Sequence, residues 1–145
     1  MADLIDKPIL TLPKVPQPPP GPGLASTVLS LGFDVSKLKL REAAICAGGF
    51  GVLSVTSGAQ ARFEIEMGRC GIFLTCDRVP AAENRELISL FRRNCSSGWV
   101  IFVTTDDHAS LRADHMDADV WVREADEPES IVDSLRSRSL LAGVT

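Results

Sequence analysis

The sequence predicts an α/β domain in which a parallel β-sheet lies between two layers of helices. The chain has 145 residues, 45% of them apolar, which is enough for one ordinary core. Short apolar runs alternate along it with stretches of helical spacing. Because strand and helix alternate, we expect right-handed crossovers that join neighbouring parallel strands.

The predicted strands are short runs rich in β-branched and aromatic residues. Their apolar character is almost continuous, which suits parallel strands covered on both faces. The runs are STVLSL at 26–31, GVLSV at 51–55, GIFLTC at 71–76, WVIFVT at 99–104 and DVWVR at 119–123.

The predicted helices lie between these strands, and each has one apolar stripe at helical spacing. The stripes are Leu40, Ala44 and Ala47; Ala61 and Ile65; Leu87, Ile88 and Phe91; and Ile131, Val132 and Leu135. Asp126 or Glu127 can cap the last helix, with Pro128 in its first turn. The short polar stretch 105–118 has the weakest helical pattern.

The segments that flank the predicted domain differ from it in composition. Residues 1–23 contain seven of the nine prolines, which predicts a disordered leader. The domain itself is predicted over 24–138, with a C-terminal tail over 139–145. No apolar run approaches the ~20 residues that cross a bilayer, so we expect no membrane contact.

Charge and cysteine usage exclude several classes of function. The formal charge of -4 comes without a basic stripe, which argues against direct nucleic-acid binding. The four cysteines form no CxxC pair, which predicts a reduced, cytoplasmic protein. His108 and His115 stand among aspartates, but their spacing favours a solvated loop over a metal site.

Four local motifs occur in a fixed order along residues 26 to about 138: GGFGVLSVTSG, FLTCDRVP, VIFVTT and ADVWVREADEPESIVDSLR. In this order and spacing the sequence resembles the receiver domain of bacterial response regulators, the CheY-like module of two-component phosphorelay signalling. The resemblance implies a flavodoxin-like three-layer sandwich with strand order 2-1-3-4-5 and about five helices.

The resemblance also locates the positions that carry phosphorylation chemistry. In that family an aspartate four residues before a proline takes the phosphoryl group; here the proline is Pro80, so the phospho-acceptor position is Cys76. Two acidic residues after the first strand hold a divalent cation there, and these positions are Gly32 and Phe33, with Asp34 adjacent. Neither the phospho-acceptor position nor the two cation-binding positions carry an acidic residue in this sequence.

The remaining positions of the implied switch are kept only in part. Thr104 matches the family's hydroxyl residue after the fourth strand, whereas Arg123 replaces the lysine after the fifth and Glu124 the proline that follows it. Because Mg²⁺ needs oxygen ligands, we expect no metal, no cofactor and no catalytic residue. The sequence therefore predicts a pseudo-receiver, which is not an enzyme and acts without phosphorylation.

Two alternatives remain open from the sequence. Asp77 could accept a phosphoryl group in an unusual geometry, with Asp34 as a lone Mg²⁺ ligand, although in a regular strand it points away from the position of Cys76. Cys76 could instead be a redox-sensing thiol if Arg123 lies close to it, although an inert buried thiol is the simpler interpretation.

The expected partner is another protein that binds in trans, such as a histidine kinase or another signalling protein. We expect no output domain after residue 138, so that any signal acts on a separate partner. The surface of the fifth strand and last helix, with Trp121, Val132 and Arg136, is the expected contact and a possible homodimer interface, although a core or sheet-face position is slightly favoured for Trp121.

Overall fold

A five-stranded parallel sheet forms the centre of the computed structural model, which describes residues 26–105 and 117–143. The sheet has the order β2-β1-β3-β4-β5, and every neighbouring pair is parallel. The predicted fold class and strand order are thus confirmed. The strands are β1 Thr27–Leu31, β2 Gly51–Val55, β3 Ile72–Cys76, β4 Trp99–Thr104 and β5 Val120–Arg123.

Four α-helices cover the two faces of the sheet in the described ranges. Helix α1 contacts α4, and α2 contacts α3, so each pair forms one layer. The helices are α1 Val35–Ala47, α2 Gly58–Glu66, α3 Ala81–Asn94 and α4 Glu129–Gly143, and a short 3-10 helix spans Glu124–Asp126. Helix α4 continues beyond residue 138, where the sequence predicted the domain to end.

Some of the predictions fall on residues outside the described ranges. These are the leader 1–23, most of the polar stretch between β4 and β5, and His108 and His115. Within the described ranges, no helix is both long and apolar enough to span a membrane.

The core fills both faces of the sheet with large apolar side chains. Every residue of β3 is buried, as near-continuous apolarity predicts for a central parallel strand. On one face Phe73 packs against Phe91 of α3, with ring centroids 5.8 Å apart. Phe102 meets Trp121 edge to face at 5.0 Å, so Trp121 packs against the neighbouring strand.

Helix α1 buries a different face from the one that its apolar stripe indicates. Its buried residues are Leu38, Arg41 and Ile45, whereas Leu40 is 63% exposed. The predicted stripe of Leu40, Ala44 and Ala47 is therefore not the core face of this helix, because an arginine occupies the inner side.

Asn84 fixes the loop that follows β3. This fully buried residue of α3 accepts a hydrogen bond from the Thr75 hydroxyl at 2.6 Å. Its amide donates to the backbone oxygens of Cys76, at 2.8 Å, and of Val79, at 3.4 Å. The Thr75 side chain and the Cys76 backbone are thereby joined to the first turn of α3. These hydrogen bonds hold Cys76 in place at the end of β3.

Replacing Asn84 by Ala should lower the free energy of unfolding by about 2 kcal/mol or more, because the Thr75 hydroxyl and the Cys76 carbonyl lose a buried partner. Urea unfolding followed by circular dichroism measures this loss. Asn94→Ala is the matched control, because Asn94 is exposed at the end of α3 and donates only one side-chain hydrogen bond, to the Leu90 carbonyl, so its loss should cost about 1 kcal/mol or less. Equal effects of the two substitutions would contradict the assigned role of Asn84.

Candidate functional site

The carboxyl edge of the sheet brings Gly32 and Cys76 together. Strands β1 and β3 are direct neighbours, with Ser30 beside Leu74. Extending this register by one further pair on the same face places Gly32 beside Cys76. The two positions that the resemblance assigns to the acidic pair and the phospho-acceptor are therefore adjacent, on the face covered by α1.

The guanidinium of Arg41 lies directly over Gly32. A Cβ atom on Gly32 would stand only 3.1 Å from Arg41 Nη1 and 3.3 Å from Leu38 Cδ2. The positive charge of Arg41 also acts on the Cys76 thiol, opposing the effect of burial on its pKa. A cationic side chain thus fills the space in which the resemblance expects carboxylates and a divalent cation.

Glu127 neutralises this buried cation. Arg41 Nε donates to Glu127 Oε1, and Arg41 Nη2 donates to Glu127 Oε2 at 2.9 Å. The two side chains are only 4% and 9% exposed. Burial disfavours the charged guanidinium, but the hydrogen bonds and charge of Glu127 outweigh it and raise the pKa of Arg41. Removing one member of such a pair costs about 3–5 kcal/mol.

A second, more exposed cluster of charges lies beside this pair. Lys37 Nζ is 2.6 Å from Glu124 Oε2, and Arg78 Nη2 is 3.4 Å from Glu124 Oε1. The hydrogen bond from Lys37 lowers the pKa of Glu124, and Arg78 adds to the effect. Glu124 therefore joins α1 to the loop after β3.

Burial raises the pKa of the Cys76 thiol. Backbone N–H groups of Arg78 and Val79 and the charge of Arg41 favour the thiolate, but they offset the desolvation only in part. At neutral pH the group is a neutral thiol, which is a poor nucleophile and a poor ligand for a hard cation.

The two aspartates of the alternative hypothesis have separate local partners. Asp34 caps α1, since its Oδ1 accepts from the backbone N–H groups of Ser36 at 3.0 Å and Lys37 at 3.3 Å. Asp77 Oδ2 accepts from both the backbone N–H and the hydroxyl of Thr105, at 2.8 and 2.9 Å. Its other oxygen, Oδ1, is buried without a hydrogen-bond partner.

The two switch-equivalent residues also have local partners. The Thr104 hydroxyl lies 3.5 Å from the Val122 carbonyl of β5 and is buried. Arg123 binds Asp126, with Nε 3.0 Å from Oδ2, in an exposed pair within the same loop. At the predicted contact surface, Val132 is buried and lies close to Gly48 of α1, so placing it on the surface was wrong.

The residues at this edge do not suit a divalent cation. Gly32 has no side chain, Phe33 offers no oxygen ligand, and Arg41 adds a positive charge. Nowhere in the described ranges do three or more His, Cys, Asp or Glu side chains form a group that could hold a metal ion. Asp117 and Asp119 of the acidic stretch bind Arg92 instead.

Arg41 and Glu127 are the two residues of this site that sequence reasoning missed. The spacing of Arg41 could have indicated that it is buried, because it lies on the same helical face as the apolar residues Leu38 and Ile45. Glu127 was considered only as a cap for the last helix, but its carboxylate binds Arg41 and the helix begins at Glu129. Nothing in the local sequence connects residues 86 positions apart.

The chain matches no known family profile and no curated protein sequence. Its fold, however, is similar to that of solved receiver domains. A chemotaxis response regulator of Vibrio cholerae matches with a TM-score of 0.68 and 16% identity over 77% of this chain and 97% of that one. A LuxR-family DNA-binding response regulator from Staphylococcus aureus matches with a TM-score of 0.66 and 19% identity over 77% and 97%.

A pilus assembly-related protein from Burkholderia pseudomallei has the same fold, with a TM-score of 0.64 and 20% identity over 79% of this chain and 90% of that one. At these identities the similarity defines a class of fold. The chain has the receiver-like, flavodoxin-type fold, with a carboxyl edge built around a buried arginine.

Cys76 should resist thiol reagents in the native protein, whereas Cys46 should react rapidly. Burial both shields Cys76 and raises its pKa, and burial raises the pKa of Cys70 to about 12, while Cys46 is exposed on α1. Native labelling with iodoacetamide at pH 8, followed by peptide mass spectrometry, gives the order of reaction. Labelling of Cys76 as fast as Cys46 would contradict this description and revive a redox role.

Proposed function

We propose that this chain is a receiver-like signalling module of the two-component type that acts by binding another protein and does not accept a phosphoryl group. It needs no cofactor or metal and is not an enzyme. The observation that carries the proposal is the Arg41 guanidinium over Gly32, where phosphorylation chemistry requires a cation held by carboxylates.

Acyl-phosphate formation has two requirements that these residues do not meet. An ionised carboxylate must attack phosphorus, and a hard cation must neutralise the phosphoryl oxygens in the transition state. Cys76 supplies a neutral thiol in place of the nucleophile. The carboxylate of Glu127 that neutralises Arg41 already accepts two hydrogen bonds and is nearly inaccessible.

Asp77 has weak support as an alternative acceptor. One of its oxygens takes two hydrogen bonds from Thr105, and the other is buried, so a phosphodonor has no free carboxylate oxygen to approach. A redox role for Cys76 has equally little support, because the thiol is buried and its pKa is raised.

The partner in this proposal is a signalling protein of the cytoplasm, such as a histidine kinase, that recognises the fold in a fixed conformation. The edge strand β5 and helix α4 remain the proposed homodimer contact, on which Arg123 and Arg136 are exposed. Direct binding of nucleic acid or membrane is not proposed, because the net charge is -4.

Mg²⁺ with beryllofluoride should leave the amide spectrum of ¹⁵N-labelled protein unchanged around residues 32, 76 and 104. Incubation with a small phosphodonor such as acetyl phosphate should likewise add no mass. A phosphorylation-competent receiver domain treated in parallel shows that the reagents are active. A hydroxylamine-sensitive mass increase, or shifts clustered at those residues, would refute the proposed function.

A further inference from the structure

We propose that a two-part electrostatic clamp holds the loop between β5 and α4 against α1. Its inner part is the Arg41–Glu127 pair, and its outer part is the cluster of Lys37, Glu124 and Arg78. The clamp is a conformational device built into the fold. It rests on the proposed function only in treating the held loop as part of a signalling surface.

On α1 and on the loop after β5, the charged residues have matching spacings. Lys37 and Arg41 are one helical turn apart on α1, so their side chains leave the same side of the helix. Glu124 begins the short 3-10 helix and Glu127 follows its end. This one turn spaces the two carboxylates to meet the two cations.

The inner part fixes the position of the loop. Two hydrogen bonds between a planar guanidinium and a carboxylate define both distance and orientation, and both side chains are nearly inaccessible to water. A pair in this environment is little screened by dissolved salt. The loop is therefore held at any ionic strength as long as the inner part is intact.

The outer part alone is a weaker attachment. The side chains of Lys37, Glu124 and Arg78 are 38%, 19% and 54% exposed, so salt screens their interaction. Lys37 and Arg78 bind different oxygens of Glu124, Oε2 and Oε1, and Arg78 connects the loop after β3 to the clamp. Salt should release this part while leaving the inner part intact.

The clamp also provides the positive charge that a bound cation would otherwise bring to this edge. Arg41 is covalently part of α1 and cannot dissociate, so the loop does not depend on a ligand. With the inner part intact, the loop therefore stays in one conformation. A partner thus meets the same surface at all times.

The test is hydrogen exchange of the full chain, measured by mass spectrometry on peptides that cover residues 120–130, in about 0.1 M and about 1 M NaCl, where the Debye length falls from about 10 to about 3 Å. The wild-type loop should exchange slowly and equally at both salt concentrations. Glu127→Gln leaves only the outer part, so exchange should rise by at least about tenfold at low salt and further at high salt.

Two further variants separate the parts of the clamp. Glu124→Gln should change exchange only slightly, because the inner part remains. Arg41→Lys keeps the charge but loses the paired hydrogen bonds, so it should give a salt response between those of the wild type and Glu127→Gln. Asp126→Asn is the matched control: it removes the exposed pair with Arg123 in the same loop and should behave as the wild type.

The clamp is refuted if Glu127→Gln leaves the exchange of 120–130 insensitive to salt, or if exchange rises equally in peptides from β2 and α3. The second result would mean general destabilisation and not release of the loop. If Glu127→Gln does not fold, Arg41→Lys supplies the same comparison. These outcomes are independent of phosphorylation, so an acyl phosphate would refute the proposed function and leave the clamp standing.

Discussion

A buried arginine must have a buried counter-charge, and the carboxyl edge of this fold depends on that requirement. Arg41 enters the interior from α1, and Glu127 meets it from the loop after β5. A side chain at position 32 would be in tight contact with the guanidinium, since a Cβ atom there would lie 3.1 Å from Arg41 Nη1. The neighbouring Cys76 is small and uncharged, which avoids a competing carboxylate beside Arg41.

The same pair explains how α1 and the last loop lie on the sheet. Turning Arg41 inward places Leu38 and Ile45 in the core and leaves Leu40 in solvent. Glu127 is drawn toward α1 and away from a capping role, while Glu124 adds the outer contact with Lys37. The ion pair thereby connects α1 with the loop after β5, two segments that are far apart in the sequence, at the carboxyl edge of the sheet.

The sequence predicted the fold well because each strand has a clear apolar pattern with sharp ends. Short, near-continuous apolar runs rich in β-branched and aromatic residues, such as GIFLTC, favour buried parallel strands, and each predicted run lies within one residue of an observed strand. The stripes of the other helices also pointed inward, for example Ala61 and Ile65. Only α1 failed, since a pattern that counts arginine as polar cannot foresee that it is buried in an ion pair.

The sequence pointed to this edge of the sheet through two positions, but not to the side chains that meet there. Counting back from Pro80 identified Cys76, and the register of β1 against β3 brings Gly32 beside it. What fills the space between them is a contact between residues 86 positions apart, which no local pattern encodes. The resemblance names the positions to compare, whereas only the three-dimensional packing shows that the Arg41 guanidinium lies beside Gly32.

The most direct test of this account is the side-chain spectrum of Arg41. In ¹⁵N-labelled protein, its Nε–H resonance, assigned by its loss in Arg41→Lys, should exchange slowly with water because Nε–H donates to Glu127 within the interior. It should not move on addition of Mg²⁺ and beryllofluoride, and it should broaden or vanish in Glu127→Gln. A resonance in fast exchange with water, or one that shifts when Mg²⁺ is added, would contradict the proposal that an internal ion pair occupies the place of a cation site.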